Sequence, residues 1–110
     1  MSARLVVLCA SNSEEEARRI ARAVVGKQLA ACVNIVPGAT SIYRWEGAIE
    51  EASEWLLLMK TTAAAYPHLE REIRALHSYS VPEIIALPIE RGAESYLSWM
   101  DAGTVTGDAT

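Results

Sequence analysis

The stretch Ala31-Cys-Val-Asn-Ile-Val-Pro-Gly-Ala-Thr-Ser-Ile-Tyr-Arg-Trp45 decides the fold, because it contains two strand-like pieces separated by Pro37 and Gly38. Proline lacks a backbone donor and glycine is conformationally permissive, so this pair favours a bulge or bend over a tight reversal. After a turn candidate at residues 46–48, an apolar run at residues 55–60 returns antiparallel to the first stretch. The pattern predicts one long, bent strand and its partner, which together form an extended β-ribbon.

The segment that precedes the ribbon carries a strand signal and then a helix signal. Residues 4–10 form an apolar run with polar residues on both sides, which is typical of a strand that is central in a sheet or covered on both faces. Ser13 and Glu16 have the capping-box spacing, so a helix is predicted to start near Ser13 and to end near Gly26. Apolar side chains recur there at helical spacing, at Ala17, Ile20, Ala21, Val24 and Val25.

Two helices and a strand are predicted after the ribbon. The threonine pair at 61–62 can cap the second main helix, which should end near His77. Residues 83–89 form an apolar fourth strand, and residues 93–100 form a short final helix. Residues 104–110 are predicted to be a flexible tail.

In chain order these elements predict a βαββαβ fold with an extra C-terminal helix. Right-handed crossovers place both main helices on one face of a four-stranded antiparallel sheet, which is the ferredoxin-like α+β sandwich. The 110 residues, of which 51% are hydrophobic, provide one continuous core and leave no room for a second one. Residues 1–110 are therefore interpreted as a single domain.

In such a sheet the helices cover one face and leave the second face uncovered. The strands nevertheless carry apolar side chains at both odd and even positions, so apolar side chains point to both faces. Ile35 and Val36 show this in one strand, where neighbouring side chains point to opposite faces. We expect no further segment to cover that face, so we infer self-association through the long ribbon. Large aromatic side chains are natural anchors between subunits. On the ribbon these are Tyr43, Trp45 and Trp55.

Composition and charge argue against several classes of partner. The formal net charge is −4, and acidic and basic residues are interleaved rather than gathered into a basic stripe, which argues against nucleic acid. The run at residues 4–10 is too short to span a membrane and lacks a signal-peptide layout, so the protein is expected in the cytoplasm, with no membrane partner. In that reducing compartment Cys9 and Cys32 are expected to stay free thiols.

The ribbon sequence is also distinctive as a motif. Residues 30–47, Ala-Ala-Cys-Val-Asn-Ile-Val-Pro-Gly-Ala-Thr-Ser-Ile-Tyr-Arg-Trp-Glu-Gly, closely resemble the signature of the CutA family. Ahead of the fourth strand, that family usually reads His-Pro-Tyr and then an acidic residue, whereas this chain has Ser78 and Ser80, so a pre-organising proline and a carboxylate are absent. Further blocks extend the resemblance from residue 4 to about residue 101; they lie at residues 49–54, 59–61, 81–88 and 96–99.

The resemblance implies a ferredoxin-like subunit in a tight trimer, in which the long ribbon packs on neighbouring subunits. It also implies a role in tolerance of divalent cations, copper especially. The assembly implied by the resemblance agrees with the self-association expected from the uncovered sheet face.

A mixed set of donor side chains would suit copper if the fold brings them together, within one chain or across a subunit boundary. His77, Glu83 and Cys32 are the candidate metal ligands. Tyr79 is a candidate pocket residue beside them. The alternative is purely structural: a helix-end imidazole, a capped carboxylate, a core thiol and a packed phenol. Lys60 is a candidate anion-binding residue in a cleft between subunits, and a salt bridge to a carboxylate is its alternative role.

No catalytic motif is recognised in the sequence. We find no Ser/His/Asp arrangement, no phosphate-binding glycine loop and no paired acids in a catalytic context, so an enzyme is not expected. We predict a cytosolic, trimeric divalent-cation tolerance protein that binds copper or another divalent metal ion, with no organic cofactor evident. The alternative is a non-catalytic, ligand-sensing trimer like the PII proteins, which share this fold. The compact connection within the ribbon favours the first interpretation.

Overall fold

Four strands and three helices follow one another in the computed structural model, which describes residues 3–105. In chain order they are β1 (Arg4–Ser11), α1 (Glu14–Gly26), β2 (Cys32–Trp45), β3 (Ala48–Thr62), α2 (Tyr66–Leu76), β4 (Ile84–Pro88) and α3 (Glu94–Ala102). The strands form an antiparallel sheet in the order β2-β3-β1-β4. This arrangement confirms the predicted ferredoxin-like fold with an extra C-terminal helix. Within the described range, no helix has the length and hydrophobicity needed to cross a bilayer.

The ribbon formed by β2 and β3 is bent where the sequence predicts. The pairing register shifts between Val36 and Ala39, and Gly38 has a φ of 80°, which a residue without a Cβ adopts readily. Glu46 and Gly47 close the ribbon with φ values of 50° and 84°, as in a two-residue hairpin turn. The predicted single bent strand is therefore confirmed.

β3 is longer than the predicted run at residues 55–60. Trp45 pairs with Ala48 directly across the turn, so the ladder also includes the acidic residues 50–54. Glu50 and Glu51 are both exposed, so their charges stay in water, whereas Glu54 is buried. Because β1 pairs with residues 55–62, the part of the ribbon nearer the turn projects beyond the sheet.

The main core lies between the sheet and the helices α1 and α2. Val7 and Cys9 of β1 lie opposite Met59 and Leu57 of β3, so these four side chains share the face that the helices cover. The buried apolar cluster consists of Val7, Cys9, Ala17, Ile20, Val24, Leu29, Ala30, Leu57, Met59, Leu69 and Ile73.

α1 begins as its capping residues predict. The Ser13 hydroxyl accepts the Glu16 backbone N–H at 3.1 Å, and the helix ends at Gly26. The carboxylate of Glu16, however, does not complete the expected capping box. It turns instead to the Ser11 hydroxyl and the Ser78 backbone N–H, which links the start of α1 to the segment after α2.

α2 begins later than predicted. Thr61 and Thr62 are the last residues of β3 and pair with β1, and the helix starts at Tyr66. The Thr61 hydroxyl donates to the Leu29 carbonyl at 2.7 Å. The predicted threonine cap is therefore wrong, because sheet pairing outweighs the local capping preference of these residues. The predicted end of the helix at His77 is confirmed, since His77 is its C-terminal cap.

The second face of the sheet is covered in part by α3. The Arg4 guanidinium binds the Asp101 carboxylate at 2.6 Å, which fixes α3 at the end of the sheet where β1 begins. The expectation that no segment covers this face is therefore wrong for that end. The rest of the face leaves large aliphatic side chains exposed, at Val36, Ile85 and Leu87. We call this remaining area the open face.

The first residues of the predicted tail belong to the fold. The Val105 backbone N–H donates to the Gln28 carbonyl at 2.8 Å, and the Thr104 hydroxyl donates to the Met100 carbonyl at 3.2 Å. The predicted flexibility is therefore wrong for residues 104–105. The rest of the predicted tail, residues 106–110, lies outside the described residues.

Candidate functional site: an acidic, aromatic cleft

A cleft opens where the projecting ribbon meets the segment between α2 and β4. Its volume is about 540 Å³, which is within the range of small-molecule sites. Its lining includes three aromatic and two acidic side chains, from Tyr43, Trp45, Tyr79, Glu54 and Glu83. The fold thus brings four residues that the sequence singled out into one cleft, together with a carboxylate that it did not.

His77 lies beside this cleft with its imidazole buried. Nε2–H donates to the Ala10 carbonyl at 2.6 Å, and Nδ1 accepts the Tyr79 backbone N–H at 3.1 Å. A carbonyl requires a donor and an N–H requires an acceptor, so these contacts engage both ring nitrogens, Nε2 as a donor and Nδ1 as an acceptor. The geometry matches the structural alternative for His77. A metal ion bound there would have to replace one of these hydrogen bonds.

Glu16 fixes the position of the segment that follows α2 through its carboxylate. Its carboxylate accepts the Ser11 hydroxyl at 2.8 Å and the Ser78 backbone N–H at 3.1 Å, and it lies 3.5 Å from Nδ1 of His77. Burial by itself raises the pKa of Glu16, but the hydrogen bonds from Ser11 and Ser78 outweigh it, so the pKa is lowered. The carboxylate therefore stays ionised at neutral pH.

This network predicts a specific loss of stability in acid. A lowered pKa means that Glu16 contributes to folding stability above its ordinary pKa of 4.5, and that the contribution is lost as the pH falls through the lower folded-state value. Glu16→Gln should therefore lower the free energy of unfolding at pH 7 and flatten its decline in acid. Urea titrations at several pH values measure both effects. Glu15→Gln, in the same helical turn but exposed, is the control; parallel curves for wild type and Glu16→Gln would contradict the assignment.

Tyr79 joins the two walls of the cleft. Its hydroxyl donates to the Glu54 carboxylate at 2.7 Å, and its ring lies 4.7 Å from the His77 ring, centroid to centroid. Burial, followed by the hydrogen bond to Glu54, raises the pKa of Tyr79 well above its usual value. The phenol therefore stays protonated and acts as a donor to the carboxylate.

Cys32 and Lys60 lie away from the cleft, at the other end of the sheet. They pair with each other across β2 and β3, and Cys32 contacts Tyr96 of α3. The Lys60 ammonium donates to the Asn34 side-chain carbonyl, so its partner is an amide rather than the expected carboxylate. In one chain the fold therefore separates Cys32 from Glu83. Among residues 3–105 it brings together no metal-binding cluster of three or more His, Cys, Asp or Glu residues.

The predicted interface aromatics divide into two kinds. Tyr43 and Trp45 lie on the projecting ribbon with nearly half of their surface exposed. Trp55 lies instead within the sheet, opposite Ser11 of β1, and packs against the protein's own core. Its placement on the projecting ribbon was therefore wrong, because β1 pairs with β3 as far as this residue.

Both cysteines are free thiols, as predicted. Cys9 belongs to the buried core, and burial, followed by the charge of Glu83, raises the pKa of its thiol to about 12. A protonated, buried thiol is a poor nucleophile and a poor metal ligand. Cys32 is half-buried, so it is the thiol that a metal ion or oxidant reaches more easily.

The fold, the bent ribbon and the cleft place the chain in a class of ferredoxin-like proteins with a projecting β-ribbon. The family described as CutA1 divalent ion tolerance protein matches residues 5–103, and the chain belongs to this family. This confirms the resemblance found in the ribbon sequence.

Individual relatives support the same assignment. The divalent-cation tolerance protein CutA of Thermus thermophilus is 58% identical over 99 residues, which cover 90% of this chain and 96% of that protein. Protein CutA of Homo sapiens is 52% identical over 88 residues, which cover 80% of this chain and 49% of that protein. The solved structure of the divalent cation tolerance protein from Thermus thermophilus superposes with a TM-score of 0.91 at 56% identity, covering 93% of this chain and 99% of that one.

Proposed function

We propose that this protein is a cytoplasmic, non-catalytic homotrimer that confers tolerance to divalent cations by binding a divalent metal ion, copper in the first place. The observation that supports cation binding most directly is the charge of the cleft. Glu54 and Glu83 line it, and the described lining includes no Lys or Arg side chain. Carboxylates without a basic neighbour attract cations. The family's printed description, divalent ion tolerance, agrees with such a role.

The predicted ligands suggest how assembly contributes to the site. Cys32 lies on β2 and Glu83 lies beside β4, and these strands are the two edges of the sheet. A metal ion that takes both a thiolate and this carboxylate therefore requires two subunits, with the open faces covered by neighbouring copies. To bind the metal ion through Nδ1, His77 would have to give up the hydrogen bond that this nitrogen accepts from the backbone N–H of Tyr79.

The choice of metal can be tested by calorimetry on the purified protein. Cu(II) should bind more tightly than Mg²⁺, because imidazole and thiolate prefer the later transition ion. His77→Ala should weaken Cu(II) binding about tenfold or more, whereas His68→Ala, which removes a histidine on α2 that lies beside Arg71, should not. Equal Cu(II) affinity in wild type and His77→Ala would remove His77 from the site. No Cu(II) binding at all would contradict the proposed metal.

Ligand sensing is the second candidate function, and the volume of the cleft favours it. A metal ion bound directly by side chains needs little space, whereas about 540 Å³ bounded by aromatic rings suits a small organic molecule. Thermal-shift screening of metabolites against the metal-free protein tests this candidate. Stabilisation by metal salts alone would favour the first function.

A further inference from the structure

A carboxylate and an imidazole meet in the interior of the subunit, where β1, α1 and α2 come together. Oε2 of Glu16 lies 3.5 Å from Nδ1 of His77, and the two side chains are 6% and 0% exposed. Both residues belong to one chain, so their meeting does not depend on the ribbon or on the surfaces that self-association covers. The sequence singled out His77 as a metal ligand but not Glu16.

The hydrogen bonds of His77 determine which ring nitrogen can bind a metal ion. Nε2–H donates to the Ala10 carbonyl at 2.6 Å, and a histidine that binds a metal ion typically donates its second N–H in this way. The lone pair is then on Nδ1, the nitrogen next to Glu16. This lone pair accepts the backbone N–H of Tyr79, so a metal ion on Nδ1 takes the place of that hydrogen bond.

The Glu16 carboxylate is oriented by the groups around it. Oε1 accepts the Ser78 backbone N–H at 3.1 Å and lies 3.9 Å from the Arg19 guanidinium. Oε2, on the side of His77, accepts the Ser11 hydroxyl at 2.8 Å. Hydrogen bonds of this kind typically orient a carboxylate that binds a metal ion. Ser78 stands where the family usually has proline, which has no N–H to donate, so a relative with that proline lacks this anchor.

The separation of the two donor atoms fits two ligands of one metal ion. Zinc bonds of about 2.0–2.1 Å to nitrogen and about 2.0–2.2 Å to oxygen, at a tetrahedral angle, put the two ligand atoms about 3.3–3.5 Å apart. The 3.5 Å between Nδ1 of His77 and Oε2 of Glu16 agrees with this range. A square-planar arrangement, which Cu(II) prefers, brings neighbouring ligand atoms to about 2.9 Å. The observed separation therefore favours a tetrahedral ion.

We propose that Glu16 and His77 of one subunit together bind a divalent metal ion of tetrahedral preference, Zn²⁺ in the first place; the proposal rests on the metal-binding function above, in which His77 is a ligand. Two protein ligands leave the other coordination positions to water or to donors of a second subunit. Cu(II), which most such ligands bind more tightly than Zn²⁺, competes for the same pair. The segment between α2 and β4 contains neither helix nor strand, so the Tyr79 N–H can leave Nδ1 without breaking a sheet or helix ladder.

Calorimetric titration of Zn²⁺ into the full chain tests the pair. His77→Ala and Glu16→Gln should each weaken Zn²⁺ binding about tenfold or more, because each removes one ligand. The glutamine amide keeps an oxygen that can accept the Ser78 N–H, so Glu16→Gln removes the charge with little change in shape. Glu15→Gln, which is exposed in the same helical turn, should leave Zn²⁺ binding unchanged. Urea titration checks that each variant is folded.

Hydrogen exchange of the Tyr79 amide, followed by NMR, is a readout that a purely structural role of Glu16 does not produce. A metal ion on Nδ1 of His77 takes the acceptor of this N–H, so saturating Zn²⁺ should speed its exchange about tenfold or more in the wild type. The Val7 amide, in the centre of the sheet, should be unaffected. In Glu16→Gln the same Zn²⁺ concentration should leave Tyr79 exchange close to its metal-free rate.

The outcomes separate this site from the function on which it rests. Weaker Zn²⁺ binding in His77→Ala but not in Glu16→Gln would overturn the role of Glu16 and leave His77 as a metal ligand. Equal Zn²⁺ binding in the wild type and both variants would overturn the site together with the assignment of His77. Unchanged Tyr79 exchange at saturating Zn²⁺ would overturn the site even if a variant failed to fold. An equal loss of binding in Glu15→Gln and Glu16→Gln would place the ion on the surface of α1 and contradict the buried pair.

Discussion

Trp45→Ala is expected to convert the proposed trimer into smaller species at micromolar concentration. Trp45 is 46% exposed in the single chain, and it lies on the part of the ribbon that projects beyond the sheet. Burying an indole near the centre of an interface typically contributes about 2–4 kcal/mol, and a closed trimer repeats each contact in every subunit. Size-exclusion chromatography with light scattering measures the change as a fall in mass on dilution.

Trp99→Ala provides a matched control for this experiment. Trp99 is 51% exposed, which is close to Trp45, but it lies on α3, where it stacks against Tyr96. The mass of the Trp99→Ala variant should therefore follow that of the wild type. If Trp45→Ala keeps the same mass down to nanomolar concentration, the ribbon does not anchor the assembly.

Trp55→Ala is expected to act on the fold rather than on the assembly. Trp55 packs against the core beneath α1 and α2, so its removal leaves a cavity that the neighbouring side chains fill only in part. Removing a fully buried Trp typically costs about 3–5 kcal/mol, and a half-buried one should lower the free energy of unfolding by about 2 kcal/mol. Chemical denaturation measures this loss, with Trp99→Ala again as the control. A Trp55→Ala variant with unchanged stability but reduced mass would place Trp55 at a subunit contact instead.

Much of the fold was predictable because its signals are local. Pro37 and Gly38 specify the bend of β2, and Ser13 specifies the start of α1, each through the backbone preference of one or two residues. The helix cap predicted at Thr61 and Thr62 was wrong because a contact between distant parts of the chain decides their conformation. Their capping preference is also local, but pairing with β1, which is distant in sequence, decides their conformation.

The site was less predictable than the fold because its contacts join distant parts of the chain. Tyr79 binds Glu54, and Ser78 binds Glu16, across separations of 25 and 62 residues. In the sequence Glu54 is the end of an acidic run, and Glu16 is an ordinary first-turn acid of a helix. Neither pattern contains a sign of the partner. The choice of metal ligands by residue type alone likewise combined His77 with Cys32, although His77 contacts Ala10 near the end of β1 and Cys32 pairs with Lys60 towards the other end of the sheet.

The open face carries the main inference about assembly. The sequence indicated an uncovered apolar face from the alternating parity of its strands, and α3 covers one end of it through the Arg4–Asp101 ion pair. Ile85 and Leu87 on β4 remain about half exposed beyond that helix. Large aliphatic side chains left exposed on a sheet face are typical of a protein–protein contact.

The most direct test is the mass of the wild-type protein in solution. Both the covering of the open face by neighbouring copies and the proposed two-subunit metal site depend on self-association. Light scattering during size-exclusion chromatography, over a dilution series that extends below one micromolar, gives this mass without a shape assumption. We predict three times the 12.0 kDa of one chain at every concentration. A mass of 12.0 kDa throughout the series would contradict it.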